Sequence, residues 1–411
     1  MLNRLNENQH EAYVVGGCVR DSIMGITPHD WDICTSAKPE QVIELFSDCN
    51  VLKTGLQHGT VTIMVDKKPY EVTTYRIDGE YKDSRHPESV EFVDDLFQDL
   101  MRRDFTINAM AYNPATGLID YFNGVDDIES KYLRCVGNPD ERFKEDALRI
   151  LRAIRFASRF GFEISLRTNR AISENMDLLQ NISKERVQQE IEKIASCENL
   201  SVGSTFHLVK AVETVLPWYL MKAGSPKTQR IIDAKDQKAR LAILFDFVPE
   251  VTREVMRELK FSNCMIDSVI EVQITGRWLI EQCKTLHKLG YPNIFQNMSD
   301  KADFITRQLM FGRPHDICNS IWQYFRVNVN DASQKFIDEL SESAQRVAKQ
   351  PVMASLKSLK VNGNDMKNLS YTGREIGDIL KRLALMVQSG AVRNMRYDLL
   401  KVAKIIKDGA L

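Results

Sequence analysis

The sequence predicts an α+β protein, with a small mixed sheet near its N-terminus and helices through the rest. Two textures carry that expectation. Over residues 1–135, short β-branched and alternating apolar runs are separated by loops; from residue 138, apolar residues recur at helical spacing. The 411 residues are enough for two to four packed units. Charge nearly balances at −1, so no global basic field draws in nucleic acid, and any such contact rests on local patches. The eight cysteines include no C-x-x-C pair and no zinc spacing, a pattern of reduced thiols. No apolar run approaches the roughly 18 residues of a spanning helix, and the opening residues lack the apolar core of a signal peptide. A soluble, cytoplasmic protein without a membrane partner is expected.

The most informative stretch begins at Tyr13. Val14 and Val15 read as the end of a buried strand, and Gly16-Gly17 then allows a tight turn and a close approach to a ligand. Residues 18–25 read as the first turns of a helix, with Arg20 placed to meet a phosphate. Asp30 and Asp32 flank Trp31. In a strand their spacing of two puts both carboxylates on one face, where they repel unless a cation lies between them. Hard oxygen ligands of this kind suit Mg²⁺ shared with substrate phosphates.

Taken together, these motifs resemble the nucleotidyltransferase superfamily of DNA polymerase β, with its hGG turn and paired carboxylates. The residues Gly17–Asp21 and Asp30–Asp32 resemble the bacterial class II branch, the tRNA nucleotidyltransferases (CCA-adding enzymes) and bacterial poly(A) polymerases. That resemblance implies a polymerase β-like head over 1–135, a helical neck over 136–200, a helical body over 201–325 and a helical tail over 326–411. It also implies Asp30 and Asp32 as catalytic metal ligands.

The remaining motifs follow in chain order. Thr60–Val65 and Tyr70–Tyr75 alternate as strands do, and Asp66-Lys-Lys-Pro reads as the hairpin turn between them. Glu71 is either a surface glutamate or the third acid that the superfamily keeps near its metals. Ile77–Ser89 is polar and aperiodic, a long loop. In the resembling family a loop here assists the change from adding C to adding A, and its presence with Arg85 favours competence for A. Arg102-Arg103-Asp104, leading to Asn108, matches the family's RRD motif. Arg103 can grip a triphosphate bidentately, and Asp104 can accept from a ribose hydroxyl. Asp120–Ile128 resembles the hinge between head and neck, with acids that cap locally.

Asn138, Pro139 and Glu141 form a helix start, and Gly161 a stop. Between them a single helix is expected, on which Asp146, Arg149, Arg152 and Arg155 drift slowly around one side. Aspartate accepts from the exocyclic amine that cytosine and adenine share, and arginine donates to the ring nitrogen. Glu145-Asp146-x-x-Arg149 is the motif that selects C and A in the resembling family; Arg152 and Arg155 would neutralise phosphates. Glu185-Arg186 to Glu190 matches the family's ERxxxE motif and is expected to brace the neck through an i,i+4 pair, with Ser183 as N-cap.

Beyond residue 200 the chain reads as helices. His315-Asp316 lacks the further ligands of a metal-dependent HD phosphohydrolase. Lys360–Met366 and Gly373–Leu380 resemble the family's tail. Arg393, Arg396, Lys401, Lys404 and Lys407 are either phosphate contacts or a solvated face.

The expected reaction is template-independent transfer of C, C and A from CTP and ATP to the tRNA 3′ end, with Mg²⁺ as cofactor and tRNA, CTP and ATP as partners. Addition of A alone or CC alone, a poly(A) polymerase, and a non-catalytic RNA-binding protein are the alternatives.

Overall fold

The computed structural model describes residues 1–79, 90–218, 228–288, 313–328, 356–388 and 392–407, with short helical pieces between 302 and 343. Most of the loop 77–89, Arg85 included, lies outside the described residues. Two compact units emerge: Met1–Thr228 with Glu258–Phe261, and Gln229–Arg257 with Ser262–Leu411.

The first unit holds a seven-stranded sheet in the order β3-β4-β5-β2-β1-β8-β9. Its strands are β1 (Ala12–Val15), β2 (Asp32–Thr35), β3 (Asn50–Leu52), β4 (Thr60–Val65), β5 (Lys68–Thr74), β8 (Met110–Asn113) and β9 (Gly117–Asp120). A separate hairpin joins β6 (Arg76–Asp78) to β7 (Val90–Phe92). The large sheet is mixed because β2 and β5 run parallel while its other neighbours are antiparallel. Alternation sends Ala12, Ile33, Val61, Ile63 and Val72 to one face, under Leu5 and Phe46. Tyr13, Val15 and Cys34 go to the other, under Leu96 and Leu100 of α4 (Leu96–Met101). The β4–β5 turn is tighter than expected: only Asp66 and Lys67 lie between the strands. Both have positive φ (50° and 65°), as a two-residue hairpin turn of matching twist requires.

The hinge motif caps as expected. Asp120 accepts from the backbone N–H of Gly124 (2.8 Å) and Val125 (2.9 Å), at the start of α5 (Gly124–Glu129). A Cβ on Gly124 would stand 2.5 Å from the Thr106 carbonyl oxygen, so that position is closed to larger residues.

The helices that follow residue 138 depart from expectation at one place. Asn138 and Pro139 do start a helix, and Gly161 (φ 69°) does stop one. Between them the helix breaks into α6 (Pro139–Glu145) and α7 (Leu148–Phe160). Asp146 is extended at the break (φ −138°, ψ 102°), and its side chain accepts from the Leu148 N–H at 3.0 Å. An aspartate offering that local bond competes with the helix ladder. The helices α8 (Leu166–Asn175), α9 (Lys184–Ala195) and α10 (Val202–Val215) complete the unit. Ser183 occupies the N-cap of α9 but makes no side-chain cap bond.

The second unit is helical. Helices 237–244, 249–258, 263–288 and 315–328 bury Phe245, Val269, Tyr324 and Phe325. Gln273, fully buried, donates to the carbonyls of Ala242 and Phe245. Helices 363–368, 374–388 and 396–407 enclose Met366, Leu383, Leu399 and Ala403. Asp316 pairs with Lys238 at 2.6 Å. Among these last helices Arg393, Arg396 and Lys407 pair with Asp398, Asp365 and Glu375. No helix among the described residues is long and apolar enough to cross a membrane.

Candidate active site

The site grows from the end of β1. Beyond the antiparallel pair Val14↔Ile33, the chain turns at Gly16, whose φ of 78° and contact of 3.0 Å between a would-be Cβ and Arg103 Nη1 exclude a side chain. Helix α2 (Gly17–Ile23) follows and buries Arg20. Arg20 donates from Nε and Nη2 to Asp21 (2.8 and 2.6 Å) and from Nη1 to Asn108. Burial pushes its guanidinium below its ordinary value, and Asp21 opposes that shift.

Asp30 lies in the loop before β2, and Asp32 opens the strand, a departure from the expected placement of both on the strand. Neither carboxylate has a hydrogen bond or ion pair among the described residues. Burial raises the Asp32 carboxyl above its ordinary range; Arg103 opposes this and Asp30 adds to it. Glu71 is the register partner of Asp32 across the parallel β2–β5 pairing. Burial again raises its carboxyl, followed by the charges of Asp32 and Asp30. Asp32 thus sits in a negative field that the Arg103 charge offsets only in part, a condition that a divalent cation relieves, although no group of three acids among the described residues is set to hold a metal ion by itself.

The RRD motif forms no long helix. Asp99, fully buried on α4, accepts from Arg102 (2.7 Å) and Arg103 (3.2 Å). Asp104 precedes a short 3-10 turn (Thr106–Asn108). Its Oδ1 accepts from the Phe105 N–H (2.8 Å) and Asn108 Nδ2 (3.0 Å), and its Oδ2 from Arg152 Nε and Nη2 (2.9 and 2.6 Å). Burial pushes that carboxyl up, but the Arg152 charge and these hydrogen bonds outweigh it and hold it down at about 2.

On the opposite wall, Asp146 accepts from Arg186 Nη2 of α9 at 3.1 Å, a partner the sequence-based expectation did not include. Arg149 donates to Glu145 (2.6 Å) and to the carbonyls of Arg142 (3.1 Å) and Arg102 (3.0 Å). Arg186 and Glu190 do not pair with each other: Glu190, 3% exposed, meets Arg155 of α7 at 3.1 Å. The ERxxxE motif thus braces these helices by a hydrogen bond and an ion pair between elements rather than by one pair within a helix.

All the expected residues except Glu71 line one cleft of about 610 Å³. Its wall also carries residues not anticipated there: Arg102, Leu148, Phe156, Arg159 and Arg186. Arg159 continues the arginine series of α7 by one more turn, a signal present in the spacing. Eight arginines and four aspartates line the cleft, and Asp21, Asp99, Glu145 and Glu190 pair with these arginines, so the wall is rich in guanidinium donors whose charge is largely balanced by neighbouring acids.

The chain is similar to known proteins along its length. A family model described as "Poly A polymerase head domain" matches residues 12–134, and one described as "Probable RNA and SrmB- binding site of polymerase A" matches residues 161–203. The CCA-adding enzyme of Limosilactobacillus reuteri is 34% identical over 420 residues, covering 100% of this chain and 96% of the relative. That of Bacillus velezensis is 32% identical over 410 residues, covering 97% and 95%. Among solved structures, the Bacillus stearothermophilus CCA-adding enzyme in complex with CTP superposes with a TM-score of 0.69 at 26% identity, covering 99% of this chain and 96% of that one. The Thermotoga maritima enzyme complexed with tRNA shares the fold (TM-score 0.63, 22% identity, 98% and 92% covered). With its glycine turn, paired acids and arginine-lined cleft, and with likeness running the whole length of these relatives, the chain belongs to the bacterial CCA-adding enzyme family of nucleotidyltransferases.

Proposed function

We propose that the cleft transfers nucleoside monophosphates from CTP and ATP to the 3′-hydroxyl of tRNA, building C, C and A in turn without a nucleic-acid template. One observation carries the reading: a single cleft joins Asp30 and Asp32, whose carboxylates have no hydrogen bond or ion pair among the described residues, to the Asp146 and Arg149 side chains on its opposite wall. In the reaction the primer 3′-oxygen bonds to the α-phosphorus, the bond to the β-phosphate bridging oxygen breaks, and pyrophosphate leaves. The hydroxyl proton passes to solvent.

Asp30 and Asp32, with Glu71 beside them, are the residues that would hold magnesium, since neither aspartate has a hydrogen bond or ion pair among the described residues and only the Arg103 charge opposes their field. Bound there, magnesium supplies Lewis acidity to the primer hydroxyl and to the leaving phosphates. The chain itself does the positioning. Gly16 and Gly17 let the triphosphate approach the backbone; Arg20 and Arg103 meet its charge; Arg152 and Arg155 extend the positive wall. Asp104, held by Asn108 and Arg152, accepts from the ribose hydroxyl. Asp146 accepts the exocyclic amine of C or A, and Arg149 donates to the ring nitrogen, so U and G, which carry an oxygen at that place, leave the carboxylate facing another acceptor. We propose further that residues 1–135 act as head, 136–200 as neck, 201–325 as body and 326–411 as tail, body and tail holding the tRNA.

The reading is tested by supplying purified protein with tRNA trimmed of its 3′ end, labelled CTP or ATP, and Mg²⁺. Incorporation with stoichiometric pyrophosphate release is expected. Absence of both in the presence of Mg²⁺ overturns it.

A further inference from the structure

We infer that Phe160 is a positioning residue for triphosphate binding, holding Arg159 beside Arg20 at the glycine-turn wall, with Arg159 as a further ligand of the triphosphate. The inference rests on the reading of the cleft as a nucleotide site. Phe156 and Phe160 stack in parallel, with centroids 6.0 Å apart and planes at 5°. Four guanidinium groups lie on these two rings. Arg152 and Arg155 sit 5.4 and 4.6 Å from the Phe156 centroid, Arg159 sits 4.9 Å from that of Phe160, and Arg20 touches both at 5.3 and 4.8 Å. The negative face of an aromatic ring attracts such cations.

These arginines are not equally secured. Arg20 is held by Asp21 and Asn108, Arg152 by Asp104, and Arg155 by Glu190. Arg159 has one ion pair, at 3.6 Å, to the Asp21 oxygen that Arg20 does not use, and its side chain is 46% exposed. A single carboxylate and a single ring therefore gather two like charges that would otherwise separate. Both arginines line the cleft that Gly16 and Gly17 also line, and Arg20 Nη2 lies 3.6 Å from a would-be Cβ on Gly17, where the triphosphate is expected. A site whose cations are gathered beforehand need not order them on binding.

The substitutions Phe160→Leu, Phe160→Tyr and Arg159→Gln test this in the intact protein. The measurements are steady-state kinetics with CTP, ATP and trimmed tRNA, and calorimetric binding of inorganic tripolyphosphate. Phe160→Leu and Arg159→Gln should each raise KM for both CTP and ATP about fivefold and weaken tripolyphosphate equally. KM for tRNA and kcat should hold, Phe160→Tyr should restore the wild-type values, and the double variant should be no worse than either single one. Should Phe160→Leu fail to fold, Arg159→Gln, at an exposed position, decides alone. Wild-type KM values in both single variants, with tripolyphosphate binding intact, overturn the inference and leave the cleft reading standing. A rise in KM for tRNA alone also overturns it, assigning Arg159 to primer phosphates. Failure of the wild-type protein to bind tripolyphosphate removes the cleft reading itself.

Discussion

Arg186 of α9 donates to Asp146 at the break between α6 and α7, across 3.1 Å, and so fixes the carboxylate proposed to read the incoming base. An acceptor with its own tether is preorganised, and losing that tether costs affinity and discrimination together. Arg186→Ala should lower kcat/KM for CTP and ATP about tenfold, in proportion to one charge-assisted hydrogen bond. Misincorporated UTP should become detectable. Competition assays with all four triphosphates check this, and unchanged selectivity would assign Arg186 to support alone.

Arg149→Ala addresses base choice from the donor side. Arg149 is 9% exposed and bonded to Glu145 and two carbonyls, so its guanidinium is firmly oriented. Its removal should narrow the preference for C and A over U and G by about tenfold to a hundredfold. Single-nucleotide extension with each triphosphate measures the ratio, and a preserved ratio contradicts the proposed role.

Asp32 links chemistry to stability. Its folded carboxyl lies above the ordinary 3.8, through burial first and Asp30 as a further contribution. The ionised form is therefore disfavoured in the fold. The cost is absent below the unfolded pKa, grows as pH rises toward the folded value, and is complete above it. Asp32→Asn in EDTA should accordingly show a Tm at pH 7 equal to or above wild type, with turnover down about a thousandfold or more. Mg²⁺ should raise the wild-type Tm and leave the variant's unmoved. A lower variant Tm in EDTA, or retained turnover, contradicts this account. Asp30→Ala should likewise abolish incorporation with the fold intact.

Asp104 behaves in the opposite sense. Held at about 2, below its ordinary 3.8, it contributes stability that is present above its unfolded pKa and is lost as pH falls through the folded value. Asp104→Asn should flatten the acid limb of a Tm–pH curve between about pH 4 and 2. It should also reduce the preference for CTP over dCTP about tenfold, the worth of one hydrogen bond to a charged acceptor. An unchanged sugar preference would confine Asp104 to structure.

These outcomes bear on what the chain reveals before it folds. The glycine turn and the Asn138-Pro139 helix start are legible because each rests on short-range geometry, φ at one glycine and a cap with its proline, whereas the strand expected to carry both Asp30 and Asp32 begins only at Asp32. The pairings were not legible. The apolar periodicity runs straight through Asp146, with no glycine or proline to mark the break, so the change of direction depends on a side-chain bond to Leu148. Arg186 and Glu190 have ideal spacing for each other within α9, yet each finds a partner on another element. Burial favours those partners, and no one-dimensional pattern records it. Glu71 was ambiguous for the same reason, since its place beside Asp32 follows from a parallel register between strands far apart in sequence.

The most direct test of the central claim is the sequence of nucleotides added to a tRNA ending at its discriminator base, with all four triphosphates and Mg²⁺ present. The account predicts C, C and A, then a stop. A run of adenylates, uridine or guanosine in the product, or no extension at all, would contradict it.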